Sequence, residues 1–531
     1  MTLPQFIVSL LMALIYMYMK SKKAFHMLQQ NWYNEGNRYV KWIFTNKKKV
    51  FLTLDLLFVI FIIGLWANFK ITMSLFIIFY MIITLIYIRS KRSEQVKKPL
   101  VFTSRVKRLC ITTIILYILP IVFMIIKYND LHIAYYYLII GLMIYLNYFI
   151  VLLANIVNKP IEALDRLKFK VRAMNKLKSM PNMKVIGITG SYGKTSSKNI
   201  LSDILNVKYN ALPTPKNFNT PLGLIRTINN DLDKFNDLFI AEMGAFKKGE
   251  IKELCDLVNP TYGILTKVGT AHMDSFGSQE NIQQGKFELI ESLPKDGIGV
   301  LNGDDELQIS YNLKNDVKII WIGIDNKDVD VRATDIELSH KGTKFNVIFK
   351  GDKKKYPFET KLLGQANVYN ILAGIALGKE LGITISQLQV GVKKVNAIEH
   401  RLELKKYTDI FIIDDAYNSN PVGSKMAVDV LGMMPGKKII VTPGMIELGE
   451  QEYELNKKFG EHIAEVCDEV ILVGEAQTKP IYDGLIAKKF KKANIHIIND
   501  VKLAFPMMHR LKDKDTYVLL ENDLPDIFNE K

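Results

Sequence analysis

Cysteine is scarce in this chain. Cys110, Cys255 and Cys467 stand singly among 531 residues and make no metal-ligand spacing. That excludes a disulfide framework and a cysteine-held metal site, and it fits a reducing compartment. No internal repeat or low-complexity tract is present. Acidic residues are outnumbered, 54 against 70 basic ones, for a formal net charge of +16. Such an excess can signal nucleic-acid binding, but here much of it lies in loops between apolar stretches and in residues 159–178. That placement is the pattern of membrane orientation and anionic-lipid contact, not of nucleic-acid recognition.

Long apolar runs, by contrast, are abundant at the start. Residues 3–19, 50–69, 73–88, 109–126 and 133–157 each approach the length of a membrane-crossing helix. The first has neither the basic start nor the small-residue cleavage site of a signal peptide. Lys20, Lys22, Lys23, Arg38, Lys41, Lys47, Lys48 and Lys49 fill one intervening loop. Arg89, Lys91, Arg92, Lys97, Lys98, Arg105, Lys107 and Arg108 fill another. Basic loops stay in the cytoplasm, so the charges predict five spans with the N-terminus outside and the chain emerging inside. Asp55, near the start of the second span, is expected at the membrane interface.

After Met180 the chain changes character. Apolar runs at 184–189, 238–243, 263–266, 410–414, 438–442, 469–473 and 516–520 alternate with helical stretches, which predicts parallel sheets covered by helices. So long a stretch calls for two α/β cores. The predicted division is a membrane region 1–160, a basic juxtamembrane linker 161–180, an ATP-binding domain 181–396 and a Rossmann-like C-terminal domain 397–531.

Directly after the run 184–189 comes Gly190-Ser191-Tyr192-Gly193-Lys194-Thr195, and Ser196 onwards continues at helical spacing. Strand, glycine-rich turn, Lys-Thr and helix make a phosphate cradle: backbone N–H groups face the anion, lysine neutralises phosphate oxygens and the threonine hydroxyl suits Mg²⁺. The longer P-loop has glycine where this chain has Ile188, so the spacing is the shorter Gly-x-x-Gly-Lys-Thr. Glu242 and His272 follow strands and so belong at the ligand edge of an open α/β sheet.

These segments resemble the Mur ligase family: Ile188 to Ser196 its ATP loop, Ala241-Glu242-Met243-Gly244-Ala245 the segment after it, and Gly269-Thr270-Ala271-His272 its metal-binding histidine loop. Asp414 to Pro421 and Met445-Ile446-Glu447-Leu448-Gly449 resemble its D-alanyl-D-alanine-adding branch. The resemblance implies an ATP-dependent ligase in which a carboxylate is phosphorylated and an amine displaces the phosphate. It implies ATP contacts from Gly190, Ser191, Gly193, Lys194, Thr195, Ser196, Asn302, Asn367, Asn370, Arg401 and Asp415. Mg²⁺ falls to Thr195, Glu242, His272 and Lys286, the last as a carbamate. Lys194, His272, Lys286 and Arg401 carry the catalysis, and Tyr417 and Asn418 line the substrate cleft.

The ends depart from the family. Five apolar stretches replace its uridine-nucleotide-binding domain, Val441-Thr442-Pro443-Gly444 replaces a Gly-Asp, and Glu521-Asn522-Asp523 stands where a Lys-Gly-Ser-type segment is usual. The implied acceptor is a lipid-linked or other cell-envelope precursor at a bacterial membrane, with an amino acid or dipeptide as the amine and the catalytic domains in the cytoplasm. A capsule or polyglutamate-like polymer ligase and a non-catalytic nucleotide-binding partner are the alternatives.

Overall fold

The structure, a computed structural model, describes residues 3–67, 72–91, 99–127, 132–271, 273–407, 410–416, 420–446 and 448–523. Two units divide the chain, Met1–Lys168 and Phe169–Lys531.

The first unit is helical, and each of the five apolar stretches falls on helix, but not as five spans. Among the described residues one helix, Ser104–Ile126, is long and apolar enough to cross a membrane. The stretch 133–157 is broken between Ile133–Tyr145 and Asn147–Lys178, which diverge by 72°, and it counts as a span only if the bent pair is one. The stretch 50–69 opens as a 3-10 turn, Thr53–Leu57, leaving Phe58–Trp66 as the α-helix. At 1.5 Å per residue that helix reaches about half of the ~30 Å hydrocarbon thickness. Hydropathy sees composition and misses these breaks. The first helix, Leu3–Gln30, also runs on through Lys20 instead of ending before it.

Asp55 lies inside the helical unit. It is fully buried, with Lys20 Nζ 2.5 Å from Oδ2 and the Tyr16 hydroxyl donating to Oδ1 at 2.8 Å. Lys20 also donates to the Ile144 carbonyl at 3.2 Å. One of the charges read as loop charge is therefore spent inside the helical unit, where a buried carboxylate needs a partner. Around the pair Tyr16, Phe76, Tyr80, Tyr137 and Ile140 form an aromatic-rich core.

The second unit holds two sheets. The first contains β1 (Lys184–Thr189), β2 (Ala211–Pro213), β3 (Leu238–Glu242), β4 (Tyr262–Leu265), β5 (Ile298–Asn302), β6 (Lys318–Gly323), β7 (Val331–Ser339), β8 (Gly342–Phe349) and β9 (Tyr356–Thr360), in the order β2-β3-β1-β4-β5-β6-β7-β8-β9. Neighbours pair in parallel as far as β7, and β7, β8 and β9 are antiparallel. Side chains alternate across it. Ile186, Ile188, Leu238 and Ile240 meet Ile200, Leu201, Ile204 and Ile371 on one face, while Val185, Phe239 and Ala241 meet Ile251, Leu254 and Phe287 on the other.

The second sheet contains β10 (Glu403–Tyr407), β11 (Ile410–Asp415), β12 (Lys438–Thr442), β13 (Glu469–Val473), β14 (Ile495–Ile498) and β15 (Thr516–Glu521), in the order β10-β11-β15-β12-β13-β14. Only β10 runs antiparallel to its neighbour. Two helix-covered, largely parallel sheets are the α/β architecture expected; the antiparallel extension β7–β9 is not.

Candidate active site

Parallel strands end together, so β1, β3 and β4 deliver their loops to one edge of the first sheet, where Ile188 lies level with Glu242 and Thr189 with Leu265. There the glycine turn is required by geometry. Gly190 has φ +149°, and a Cβ on it would sit 2.0 Å from Thr266 Oγ1. Gly193 has φ +80° and opens the helix Lys194–Leu205, whose first N–H groups no side chain caps. A helix N-terminus with free donors and the positive end of its dipole is an anion site. The β4 loop braces the turn: Ser191 Oγ accepts from Gly269 N at 2.9 Å, and Thr266 Oγ1 donates to the Tyr192 carbonyl at 2.6 Å.

Lys194 Nζ folds back over this loop, donating to the carbonyls of Gly190 at 2.7 Å and Ser191 at 3.3 Å. Burial lowers its pKa to about 8; the Glu242 charge opposes that shift and Arg401 reinforces it. Thr195 Oγ1 donates to Glu242 Oε1 at 3.1 Å, and Asn219 Nδ2 donates to the same oxygen at 3.1 Å. Lys198 Nζ stands 3.0 Å from Oε2. Ser196 is half-buried in the first helical turn.

Lys286, on the helix Gln279–Glu291, is not a solvated helix lysine: it is 1% exposed. Its amine donates to the Ala245 carbonyl at 3.3 Å, on the loop after β3, and lies 5.1 Å from the centre of the Phe276 ring. Burial foremost, then the like charge of Lys194, brings its pKa down to about 7.

On the nucleotide side, Asn370 Oδ1 is 3.6 Å from where a Cβ on Gly193 would lie. Asn370 Nδ2 reaches Asn367 Oδ1 at 3.4 Å, and Asn367 Nδ2 donates to the Leu363 carbonyl at 2.8 Å. Asn302 serves its own turn, Oδ1 accepting from Asp304 N at 2.9 Å. From the second sheet, Asp415 ends β11, level with Glu521, and its Oδ1 accepts from Leu402 N at 3.2 Å. Burial first, then Glu521, raise its pKa to about 7 against the opposing pull of Arg401. Arg401 thus acts electrostatically on both Asp415 and Lys194.

The structure therefore brings together Gly190, Ser191, Gly193, Lys194, Thr195, Glu242 and Asn370, with Lys286 and Arg401 within electrostatic reach of Lys194. His272, Tyr417 and Asn418 lie outside the described residues. Among those described, no three His, Cys, Asp or Glu side chains gather as a metal cluster. The oxygen donors of Thr195 and Glu242, side by side at the phosphate turn, do fit a hard cation such as Mg²⁺. Sequence reading missed Lys198 and Asn219. Lys198 follows Lys194 by one helical turn and so shares its face. Asn219 precedes Thr220-Pro221, an N-cap and N1 pair that marks a structured loop.

Residues 188–378 match the Mur ligase middle domain and residues 400–520 the Mur ligase, glutamate ligase domain. The UDP-N-acetylmuramoyl-tripeptide--D-alanyl-D-alanine ligase of Bacillus subtilis is 34% identical over 297 residues, 55% of this chain and 63% of the relative. The Escherichia coli enzyme of the same name is 30% identical over 295 residues, 55% of this chain and 65% of that one. The chain thus spans just under two thirds of the length of either relative. The crystal structure of MurF ligase from Thermotoga maritima in complex with ADP superposes with a TM-score of 0.59 at 26% identity, covering 67% of this chain and 80% of that one. The two domain matches take in more than half of the chain, in the order and position of its two α/β sheets: the chain belongs to the Mur ligase family.

Proposed function

We propose that the chain is an ATP-dependent ligase that joins an amine to a carboxylate of a cell-envelope precursor, most simply a peptidoglycan-type intermediate. The observation that carries this reading is the meeting of Lys194, Thr195 and Glu242 at an uncapped helix N-terminus behind two obligatory glycines. The names of the B. subtilis and E. coli relatives support the class of acceptor and amine.

ATP supplies the γ-phosphoryl group that turns the acceptor carboxylate into an acyl phosphate, leaving ADP; the amine then attacks the acyl carbon and expels inorganic phosphate, and bound Mg²⁺ would screen the charge. Thr195 and Glu242 would hold one ion. Lys286 as a carbamate, with His272, would serve a second. The backbone N–H groups opening Lys194–Leu205 orient the phosphates, and Lys194 offsets the repulsion between triphosphate and attacking carboxylate. Arg401 and Asp415 bring the second sheet's domain to the nucleotide. Burial supports the carbamate on Lys286, because an amine titrating near neutrality has a nucleophilic fraction able to take up carbon dioxide.

The site belongs in the cytoplasm, where ATP is found, beside a membrane engaged by the N-terminal helices. Ser104–Ile126 supports that placement through its outward-facing Ile111, Ile114, Ile115, Ile118, Leu119 and Phe123. Lys194→Ala tests the reading: ATP turnover should fall about 10²–10³-fold, the usual loss when one such group is removed. Retention of more than about a tenth of the rate would contradict it.

A further inference from the structure

One buried charge at this site has no part in the chemistry above. Lys198 is fully buried, and its Nζ lies 3.0 Å from Glu242 Oε2. The same amine donates to the carbonyl of Lys216, a residue with φ +49°. The segment that Lys198 thereby holds supplies two further contacts to Glu242: Thr214 Oγ1 accepts from Glu242 N at 3.2 Å, and Asn219 Nδ2 donates to Oε1 at 3.1 Å. The two carboxylate oxygens are thus treated differently. Oε2 faces the Lys198 ammonium as an ion pair with no other partner among the described residues, whereas Oε1 accepts from Thr195 and Asn219.

A divalent ion beside Thr195 would meet one oxygen of Glu242, not two. Mg²⁺ is small and octahedral and suits single oxygens from each carboxylate. Ca²⁺ is larger, takes six to eight ligands and readily accepts both oxygens of one carboxylate. We propose that Lys198 is a positioning residue that keeps Glu242 a one-oxygen ligand, and that the nucleotide site thereby favours Mg²⁺ over Ca²⁺. This rests on the reading of Glu242 as a metal ligand.

The test is the affinity of the full-length protein for ADP with Mg²⁺, with Ca²⁺ and with neither. It is run on wild type, Lys198→Met, Lys198→Gln, Lys198→Arg and Glu242→Gln, each checked for folding by circular dichroism. The wild type should bind ADP more tightly with Mg²⁺ than with Ca²⁺. Lys198→Met should cut that ratio by about tenfold or more, in the range found when a ligand's supporting partner is lost. Lys198→Arg, which keeps a cation against Oε2, should preserve most of it. If Lys198→Met does not fold, Lys198→Gln, which keeps a donor without the charge, should also lower the ratio. A ratio unchanged in either folded variant, or absent in the wild type, would overturn the proposal, because a purely structural lysine would alter stability and not ion preference. If Glu242→Gln leaves the metal-dependent gain in ADP affinity intact, the ligand assignment itself fails.

Discussion

A lysine ammonium sealed from water beside a second lysine is costly in its charged form, and Lys286 yields by titrating near neutrality. That makes its identity testable by substitution. Arginine stays charged at all working pH values and cannot form a carbamate. Lys286→Arg should therefore lose nearly all ligase activity, as should Lys286→Ala. Acetate should partly restore the alanine variant by returning an oxygen ligand, and bicarbonate should not. Wild-type turnover in Lys286→Arg would remove this residue from the site. Residues of this kind were unevenly legible in the sequence. Gly190, Gly193, Lys194 and Thr195 announce themselves because their partners are contiguous. Lys198 shares a helix face with Lys194 and Asn219 precedes a helix cap, but their common partner Glu242 ends β3, and linear spacing does not show which residues that strand meets.

Asp304 shows how elements are fastened around the site. It follows β5 and accepts from the N–H groups of Ile324, Asp325 and Asn326 after β6, and from the Tyr369 hydroxyl on the helix Gln365–Glu380. Burial alone would raise its pKa, but the Ile324 and Asn326 N–H groups and the Tyr369 hydroxyl outweigh it, so the carboxyl titrates below its ordinary value. A carboxylate whose folded pKa is depressed contributes stability above its unfolded pKa and loses it as pH falls through the folded one. Asp304→Asn should thus cost about 0.5–1.5 kcal/mol near pH 7, the usual net contribution of a hydrogen bond. The gap from wild type should narrow below about pH 4, the unfolded value. Denaturant melts at several pH values check this, and a gap constant with pH would refute it.

Element-level legibility followed burial. β1, β3, β12 and β13 lie deep in their sheets and read as continuous apolar runs. The strand β7 alternates buried and exposed residues towards the sheet margin, and its charged face hid it from a search for apolar runs.

At the scale of the molecule, the matches to the two Mur ligase domains begin at residue 188, after the N-terminal helices. We propose from the basic loops that the α/β domains face the cytoplasm. A reporter fused after Lys531 should accordingly be active only inside the cell, and activity confined to the outside would reverse the proposed orientation.

The central claim is ligase chemistry, and inorganic phosphate released by the purified full-length protein measures it most directly. With ATP and Mg²⁺, release should require an envelope-type carboxylate acceptor and an amine together, and should vanish in Lys194→Ala. Release that ignores both substrates, or that survives in Lys194→Ala, would contradict the account.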